Sequence, residues 1–119
     1  MMTQTSKYPL GGQRCCRRLE KTIPSGFFRA LSDPTRLDLL VQLSGCRRPC
    51  TVGELAECCP VDLSVVSRHL AILRDAGLLV ATRRGKQVYY RVSYDLVTST
   101  LRDVADAVEQ CCPDETTCC

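Results

Sequence analysis

The chain has 119 residues and a formal net charge of +3, from 16 lysine and arginine residues against 13 aspartate and glutamate residues. A chain of this length forms one domain, which buries about two-thirds of the surface that the unfolded chain exposes. There is no apolar run of about 18 residues and no secretory signal at the start, so we expect a cytoplasmic protein without a membrane partner. The ten cysteines then favour metal binding or redox chemistry over a disulfide scaffold.

The sequence divides into one periodic domain and two cysteine-bearing ends. Residues 1–22 begin with a polar, aperiodic arm, and we expect a short helix around Cys15–Lys21. Residues 23–112 hold the segments with hydrophobic periodicity, and residues 113–119 form a short tail. We therefore predict a single domain over 23–112.

Two helices are predicted in the first part of this domain. The first is indicated by apolar residues at helical spacing, which are Ile23, Phe27, Phe28 and Leu31. Pro34 opens the second helix, with Asp33 as its N-cap and Gly45 at its end. In the second helix Leu37, Leu40 and Val41 are predicted to form one face.

The next two helices have the spacing of a helix-turn-helix. Thr51 caps a short helix that stops near Cys59, because Pro60 disfavours the helical conformation just before it. A longer helix begins at Asp62 or Ser64 and ends at Gly77. The inward-facing residues are predicted to be Val52, Leu55 and Ala56 in the short helix and Val66, Leu70, Leu73 and Ala76 in the long one.

A β-hairpin and a last helix complete the domain. Residues 78–82 are predicted to form a strand, Arg83–Lys86 a basic turn and Gln87–Val92 the returning strand. Ser93 caps a helix whose apolar residues alternate steps of four and three, the spacing of a helix that packs against another helix. These residues are Val97, Leu101, Val104, Val108 and Cys111. The predicted fold is mainly α with a β-hairpin wing, a dimeric winged helix-turn-helix.

The basic and hydroxyl residues of this domain lie where a winged helix contacts DNA. The second helix of a helix-turn-helix places its N-terminal residues in the major groove, and those residues here are Ser64, Ser67, Arg68 and His69. The hairpin residues Arg83, Arg84 and Lys86 would contact the backbone or the minor groove. Taken singly, each is more often a solvated surface residue, but their order along the chain favours binding of double-stranded operator DNA.

Over roughly residues 27–112 the chain resembles the ArsR/SmtB family of metal-sensing repressors. The resemblance is carried by LSDPTRL at residues 31–37, ELA at 54–56, VSRHLAILRDAGLL at 66–79 and GKQVYYRV at 85–92. It implies a homodimeric winged helix that binds a palindromic operator near a resistance operon and releases it when an inducer binds.

The predicted sensing of a metal or metalloid ion depends on the cysteines. His69 is the only histidine. The resemblance implies that zinc, nickel and cobalt sensors of the family bind their ions through acidic and histidine residues of the last helix, and this chain cannot supply the histidine ligands of such a site. Thiolates select soft ions, and arsenite is satisfied by three sulfurs. We therefore expect As(III) as inducer, with Sb(III), methylarsenite, Hg(II), Cd(II) and Pb(II) as alternatives, and no organic cofactor.

Two cysteine sets compete as the metal site. The arsenic sensors' familiar Cys-Val-Cys-Asp-Leu pattern is absent, because the matching stretch is TVGEL at residues 51–55. The favoured set, which resembles family members that hold arsenite at this end of the chain, is Cys111, Cys112 and Cys118. The second set, which resembles another arrangement in the family, is Cys15 and Cys16 with Cys50 or Cys46 of the partner subunit.

Two cysteines in the middle of the chain remain unassigned, and two functions other than metal sensing have to be considered. Cys58 and Cys59 are predicted to be packing residues. A thiol-based redox repressor of the same fold is the alternative function, with disulfides within the C-terminal cysteines or between arm and core. A phosphatase-like thiol enzyme would need an arginine six residues after a cysteine, and none of the ten cysteines has one. We therefore predict that the chain is not an enzyme.

Overall fold

The computed structural model of the chain describes residues 22–111, and for Cys111 only the backbone. The predicted helix around Cys15–Lys21 and the tail 113–119 lie outside these residues, so the division of the chain at residues 22 and 112 stays a prediction. Residues 25–97 form one compact unit, and residues 98–111 belong to a second. No helix in the described part has the length and apolar character needed to cross a membrane.

The described residues form a winged helix-turn-helix, as predicted. The helices are α1 (Ser25–Leu31), α2 (Pro34–Gly45), α3 (Val52–Ala56), α4 (Leu63–Asp75) and α5 (Tyr94–Cys111). The strands are β1 (Cys50–Thr51), β2 (Leu79–Arg84) and β3 (Gln87–Val92), and they pair antiparallel in the order β1-β3-β2. Helices α3 and α4 are the helix-turn-helix, and β2 and β3 form the wing.

Helix α2 begins as predicted but buries a different face. The carboxylate of Asp33 accepts a hydrogen bond from the Arg36 backbone N–H at 3.0 Å, and Pro34 occupies the first turn. Of the predicted face only Leu40 is buried, since Leu37 and Val41 are 46% and 63% exposed. The buried face is Leu39, Leu40 and Leu43. Both stripes have helical spacing and share Leu40, so periodicity alone does not choose between them.

The two helices of the motif are held by a capping box and an apolar face. The Thr51 side chain accepts from the Glu54 backbone N–H, and the Glu54 carboxylate accepts from the Thr51 N–H, which confirms the predicted cap. Helix α3 ends at Ala56, earlier than the predicted stop near Cys59. In α4 the predicted inward residues Val66, Leu70 and Leu73 are 0% exposed.

The wing is a longer hairpin than predicted, and it is joined by a third strand. Arg83 and Arg84 belong to β2, so the turn is only Gly85 and Lys86, with Arg84 opposite Gln87. Gly85 has a φ of 63°, which allows so tight a turn. The short strand β1 was not predicted; it pairs Cys50 with Tyr90. This pairing ties the start of the helix-turn-helix to the wing.

One core joins α1, the motif and the sheet. Its buried members are Phe27, Ala30, Leu39, Leu40, Leu43, Cys50, Leu55, Val66, Leu70, Leu73, Leu78, Leu79, Tyr90 and Val92. Val97 of α5 packs against this core, and the Tyr94 hydroxyl donates to the Ser44 carbonyl at 3.2 Å. Farther along α5, Leu101 and Val108 are 45% and 55% exposed.

Candidate nucleic-acid interface and cysteine sites

Helix α4 presents a polar surface opposite its apolar face. Its three fully buried side chains fix the rotation of the helix about its axis, and burial of each stabilises the fold by about 1.5–3 kcal/mol. The predicted contact residues Ser64, Ser67 and Arg68 are all exposed in the first two turns. These three side chains therefore stand on the outer surface of the predicted recognition helix.

His69, the fourth predicted contact of this helix, is directed into the protein. Its side chain is 16% exposed, and its Nδ1 lies 3.3 Å from Nη1 of Arg36. Because arginine only donates, Nδ1 is the acceptor in this contact, and Nε2 lies 3.9 Å from the Asp33 carboxylate. These contacts point to a positioning role, and a DNA contact of His69 stays a prediction.

The predicted basic residues of the wing are exposed at its tip. Arg83, Arg84 and Lys86 all face solvent. The Arg84 guanidinium lies 5.6 Å from the ring centre of Tyr89, within cation–π range, and the Arg83 Nε is 3.4 Å from the Gly85 carbonyl oxygen. These contacts hold both arginine side chains against the hairpin and leave their charges at the surface.

A groove joins the recognition helix to the wing. Its volume is about 410 Å³, and its lining includes Ser67 from α4 and Lys86 from the wing tip. Thr51 and Gln87 also line it, and neither was a predicted site residue. Gln87 directly follows Lys86 in the chain, and this position next to the basic turn could have identified it as a site residue. The groove thus brings together polar groups from three elements.

A surface ion pair reinforces the start of the helix-turn-helix. The Arg48 Nη2 lies 2.6 Å from the Glu54 carboxylate, which also receives the Thr51 backbone N–H at 2.9 Å. The hydrogen bond from Arg48, followed by that from Thr51, lowers the pKa of Glu54 from 4.5 to about 2. Because Thr51 lines the groove, this ionised carboxylate helps to set the geometry there.

Three cysteines line a second cavity, on the α2–α3 side of the motif. The cavity has a volume of about 450 Å³, and its lining includes Cys46, Cys50, Cys58 and Leu55. The Cys50 thiol is buried, and burial followed by the neighbouring Cys46 thiol raises its pKa to about 11. All three are free thiols.

The two predicted metal sets fall mainly outside the described residues. Cys15, Cys16, Cys112 and Cys118 lie there, and Cys111 contributes only its backbone at the end of α5. The described side chains are those of Cys50, which is 4% exposed, and of its alternative Cys46, which is partly exposed. Within residues 22–110 no group of three histidine, cysteine or acidic side chains is arranged to hold a metal ion.

The expectation for Cys58 and Cys59 is half right. Cys59 packs against the core and lies 3.9 Å from the Gln42 amide nitrogen, as a packing residue would. Cys58 is exposed, because α3 ends two residues earlier and the turn that follows directs it outward. Of these two residues, only Cys59 therefore fills space in the fold.

Residues 31–82 match the Helix-turn-helix domain family. The chain is 39% identical over 79 residues to the arsenical resistance operon repressor of Escherichia coli, covering 60% of each chain. It is 40% identical over 80 residues to the HTH-type transcriptional regulator CmtR of Mycobacterium bovis, covering 67% of this chain and 66% of that one. The chain thus spans less than two-thirds of the length of these relatives.

Solved structures agree with the sequence matches. A crystal structure of an ArsR family transcriptional regulator is 32% identical, covers 71% of this chain and 91% of its own, and superposes with a TM-score of 0.62. A homodimeric winged helix-turn-helix DNA-binding domain from Mycobacterium bovis has the same fold at 22% identity, with a TM-score of 0.56 over 92% of this chain and 93% of its own. The relatives are transcriptional regulators, which agrees with the prediction that the chain is not an enzyme. By fold and sequence, the chain belongs to the ArsR/SmtB family of helix-turn-helix transcriptional regulators.

Proposed function

We propose that the chain is a cytoplasmic transcriptional repressor that binds double-stranded operator DNA as a homodimer and releases it when a thiophilic ion binds its cysteines. The groove between α4 and the wing is the observation that carries this proposal, because Ser67 and Lys86 line it together. A polar surface built from a recognition helix and a basic hairpin suits a duplex, whose major groove admits one helix.

The proposed contacts follow from the two elements. Ser64, Ser67 and Arg68 face the base edges, where Arg68 donates two hydrogen bonds to a guanine. The wing residues Arg83, Arg84 and Lys86 bind phosphates or the minor groove, which positions the protein without specifying sequence. His69 remains in the proposed set through its place on α4, and its protein contacts suit a residue that orients the helix.

The proposed homodimer places two recognition helices on a palindrome. Leu101 and Val108 are exposed and seven residues apart on α5, which puts them on one side of the helix. Burial of such a pair against a second copy removes apolar surface from water. The winged helix-turn-helix domain from Mycobacterium bovis is a homodimer, which supports the same assembly.

The proposed inducer is As(III), with Sb(III), methylarsenite, Hg(II), Cd(II) and Pb(II) as alternatives. Ten cysteines in 119 residues and the arsenical resistance relative support a thiophilic ion. The favoured site is Cys111, Cys112 and Cys118, and the second candidate is Cys15 and Cys16 with Cys50. Binding of one ion by three thiolates favours the protein conformation in which the three sulfurs lie close together. DNA affinity falls if the two recognition helices of the dimer do not match the operator spacing in that conformation.

Operator binding tests the DNA part of the proposal. Fluorescence anisotropy with a palindrome from the protein's own promoter should show specific binding that weakens as salt rises. Arg68→Ala should cost about 1–3 kcal/mol and relax specificity at one base pair, while Lys86→Ala should weaken binding to all sequences and reduce the salt slope. The matched control is Arg74→Ala, since Arg74 pairs with Asp75 in the last turn of α4. Equal affinity for operator and unrelated DNA would contradict the proposal.

Serine variants locate the sensor. Arsenite should release the wild-type protein and the Cys15→Ser/Cys16→Ser variant but not the Cys111→Ser/Cys112→Ser variant, if the C-terminal set senses. The reverse pattern would assign sensing to the second set. Hydrogen peroxide without metal should leave the complex intact, whereas release by peroxide alone would favour the redox repressor.

A further inference from the structure

Cys46 and Cys50 form a pair of neighbouring thiols within one chain. Cys46 is the C-cap residue of α2, and its backbone N–H donates to the carbonyls of Gln42 and Leu43. Cys50 opens β1, and its thiol lies 3.6 Å from the Arg48 carbonyl oxygen. The short loop between α2 and β1 thus brings the two side chains to the wall of one cavity.

The pair borders a cavity with room for a small organic group. The cavity of about 450 Å³ has Leu55 in its wall beside Cys46 and Cys50. Within residues 22–110 no third histidine, cysteine or acidic side chain completes a metal site. A ligand that needs two sulfurs, and brings its own third substituent, suits this arrangement.

We propose that Cys46 and Cys50 form a dithiol site for monosubstituted trivalent arsenicals, R–As(OH)₂, with the organic group R in the adjacent cavity. Two As–S bonds form and two As–OH bonds break. Each hydroxide leaves as water with one thiol proton, so arsenic stays trivalent and no oxidant is needed. One carbon and two sulfurs complete the three bonds of arsenic, whereas inorganic arsenite requires a third thiol.

The two thiols differ in a way that fits stepwise capture. Cys46 is partly exposed, while Cys50 is buried, so Cys46 meets the ligand first and Cys50 closes the ring. The pKa of Cys50, raised to about 11 mainly by burial, keeps this thiol protonated at neutral pH. That proton is the one that leaves in the second water.

Capture at this site would act directly on the DNA-binding elements. Cys50 pairs with Tyr90 of the wing strand β3, and the next residue, Thr51, caps α3 and lines the proposed DNA groove. A covalent bridge would fix the end of α2 to β1 and bias the position of Thr51 relative to the wing. This consequence, unlike the site itself, rests on the proposed function.

The test uses the full chain with its competing thiols removed. In the parent variant, serine replaces Cys58 and all six cysteines outside residues 22–110 (Cys15, Cys16, Cys111, Cys112, Cys118 and Cys119), which leaves Cys46, Cys50 and Cys59. Phenylarsine oxide is added with excess monothiol, and intact-mass spectrometry counts the adducts. We expect one adduct, which a 1,2-dithiol removes.

Single substitutions in this parent decide the assignment. Cys46→Ser and Cys50→Ala should each abolish the adduct, and Cys59→Ala should retain it. Because Cys50 is buried, Cys46→Ser is the decisive variant if Cys50→Ala fails to fold. An adduct that persists in Cys46→Ser, or one that is absent from the parent, would overturn the proposal.

Operator anisotropy on the same samples separates the two proposals. The adduct should weaken operator binding about 5- to 150-fold. An adduct without that loss leaves the dithiol site standing and overturns its coupling to DNA. A parent that forms the adduct but binds no operator even without the arsenical counts against the proposed function and not against the site.

Discussion

The imidazole of His69 on the recognition helix lies 3.3 Å from the guanidinium of Arg36 on α2, across 33 positions of sequence. The same guanidinium donates through Nε to the Ala30 carbonyl at 2.7 Å, near the end of α1. One arginine side chain therefore connects three helices, and the orientation of α4 depends on α1 and α2 through it.

Replacement of His69 by alanine should weaken the fold as well as DNA binding. Loss of the Arg36 contact is expected to cost about 1 kcal/mol, because the guanidinium loses a partly buried acceptor. Urea unfolding of the variant measures this cost, and operator affinity should fall equally for all related sequences. Unchanged stability with altered preference at one base pair would instead make His69 a base-reading residue.

The charge of Glu54 should make stability depend on pH in the acid range. Its folded pKa of about 2 lies below the ordinary 4.5, so its contribution is complete above pH 4.5 and is lost as pH falls from 4.5 towards 2. Glu54→Gln should remove this part of the pH dependence and keep the capping hydrogen bond. Unfolding curves across that range measure the change, with Glu57→Gln at the end of α3 as control. Identical pH profiles for wild type and Glu54→Gln would contradict the ion pair.

The buried face of α2 can be tested with two substitutions on the same helix. Leu39→Ala removes a 0% exposed side chain and should cost about 2–5 kcal/mol. Val41→Ala changes a side chain that is 63% exposed and should stay within about 0.5 kcal/mol of wild type. Chemical denaturation of both variants gives the comparison. A larger cost for Val41→Ala would restore the face expected from periodicity.

Two glycines should respond to alanine with opposite signs. Gly77 has a φ of +88°, and an added Cβ would lie 3.2 Å from Cδ1 of Leu96, so Gly77→Ala should destabilise by about 1–2 kcal/mol. Gly26 lies in α1 with no atom within 4 Å of an added Cβ, and Gly26→Ala should stabilise by about 0.5–1 kcal/mol. Thermal unfolding distinguishes the signs, and a stabilised Gly77→Ala protein would exclude the left-handed conformation.

Local signals were predictable from sequence, whereas contacts between distant segments were not. Asp33 and Thr51 predict where their helices begin, because an N-cap residue acts within one turn. The apolar face of α4 follows from the helical spacing of its apolar residues. Strand β1 has two residues, too few for a pattern, and exists through its pairing with Tyr90. The contact of His69 with Arg36 likewise requires α2 and α4 to be packed already, so His69 looked like an exposed residue of the recognition helix.

Titration of arsenite into the reduced wild-type protein bound to its fluorescent operator tests the central claim most directly. The account predicts tight, salt-sensitive binding to the operator and a fall in anisotropy to the value of free DNA as the ion binds. A complex that forms but keeps its anisotropy with arsenite and with every alternative thiophilic ion would contradict inducer release. Failure to bind the operator at all would contradict repression itself.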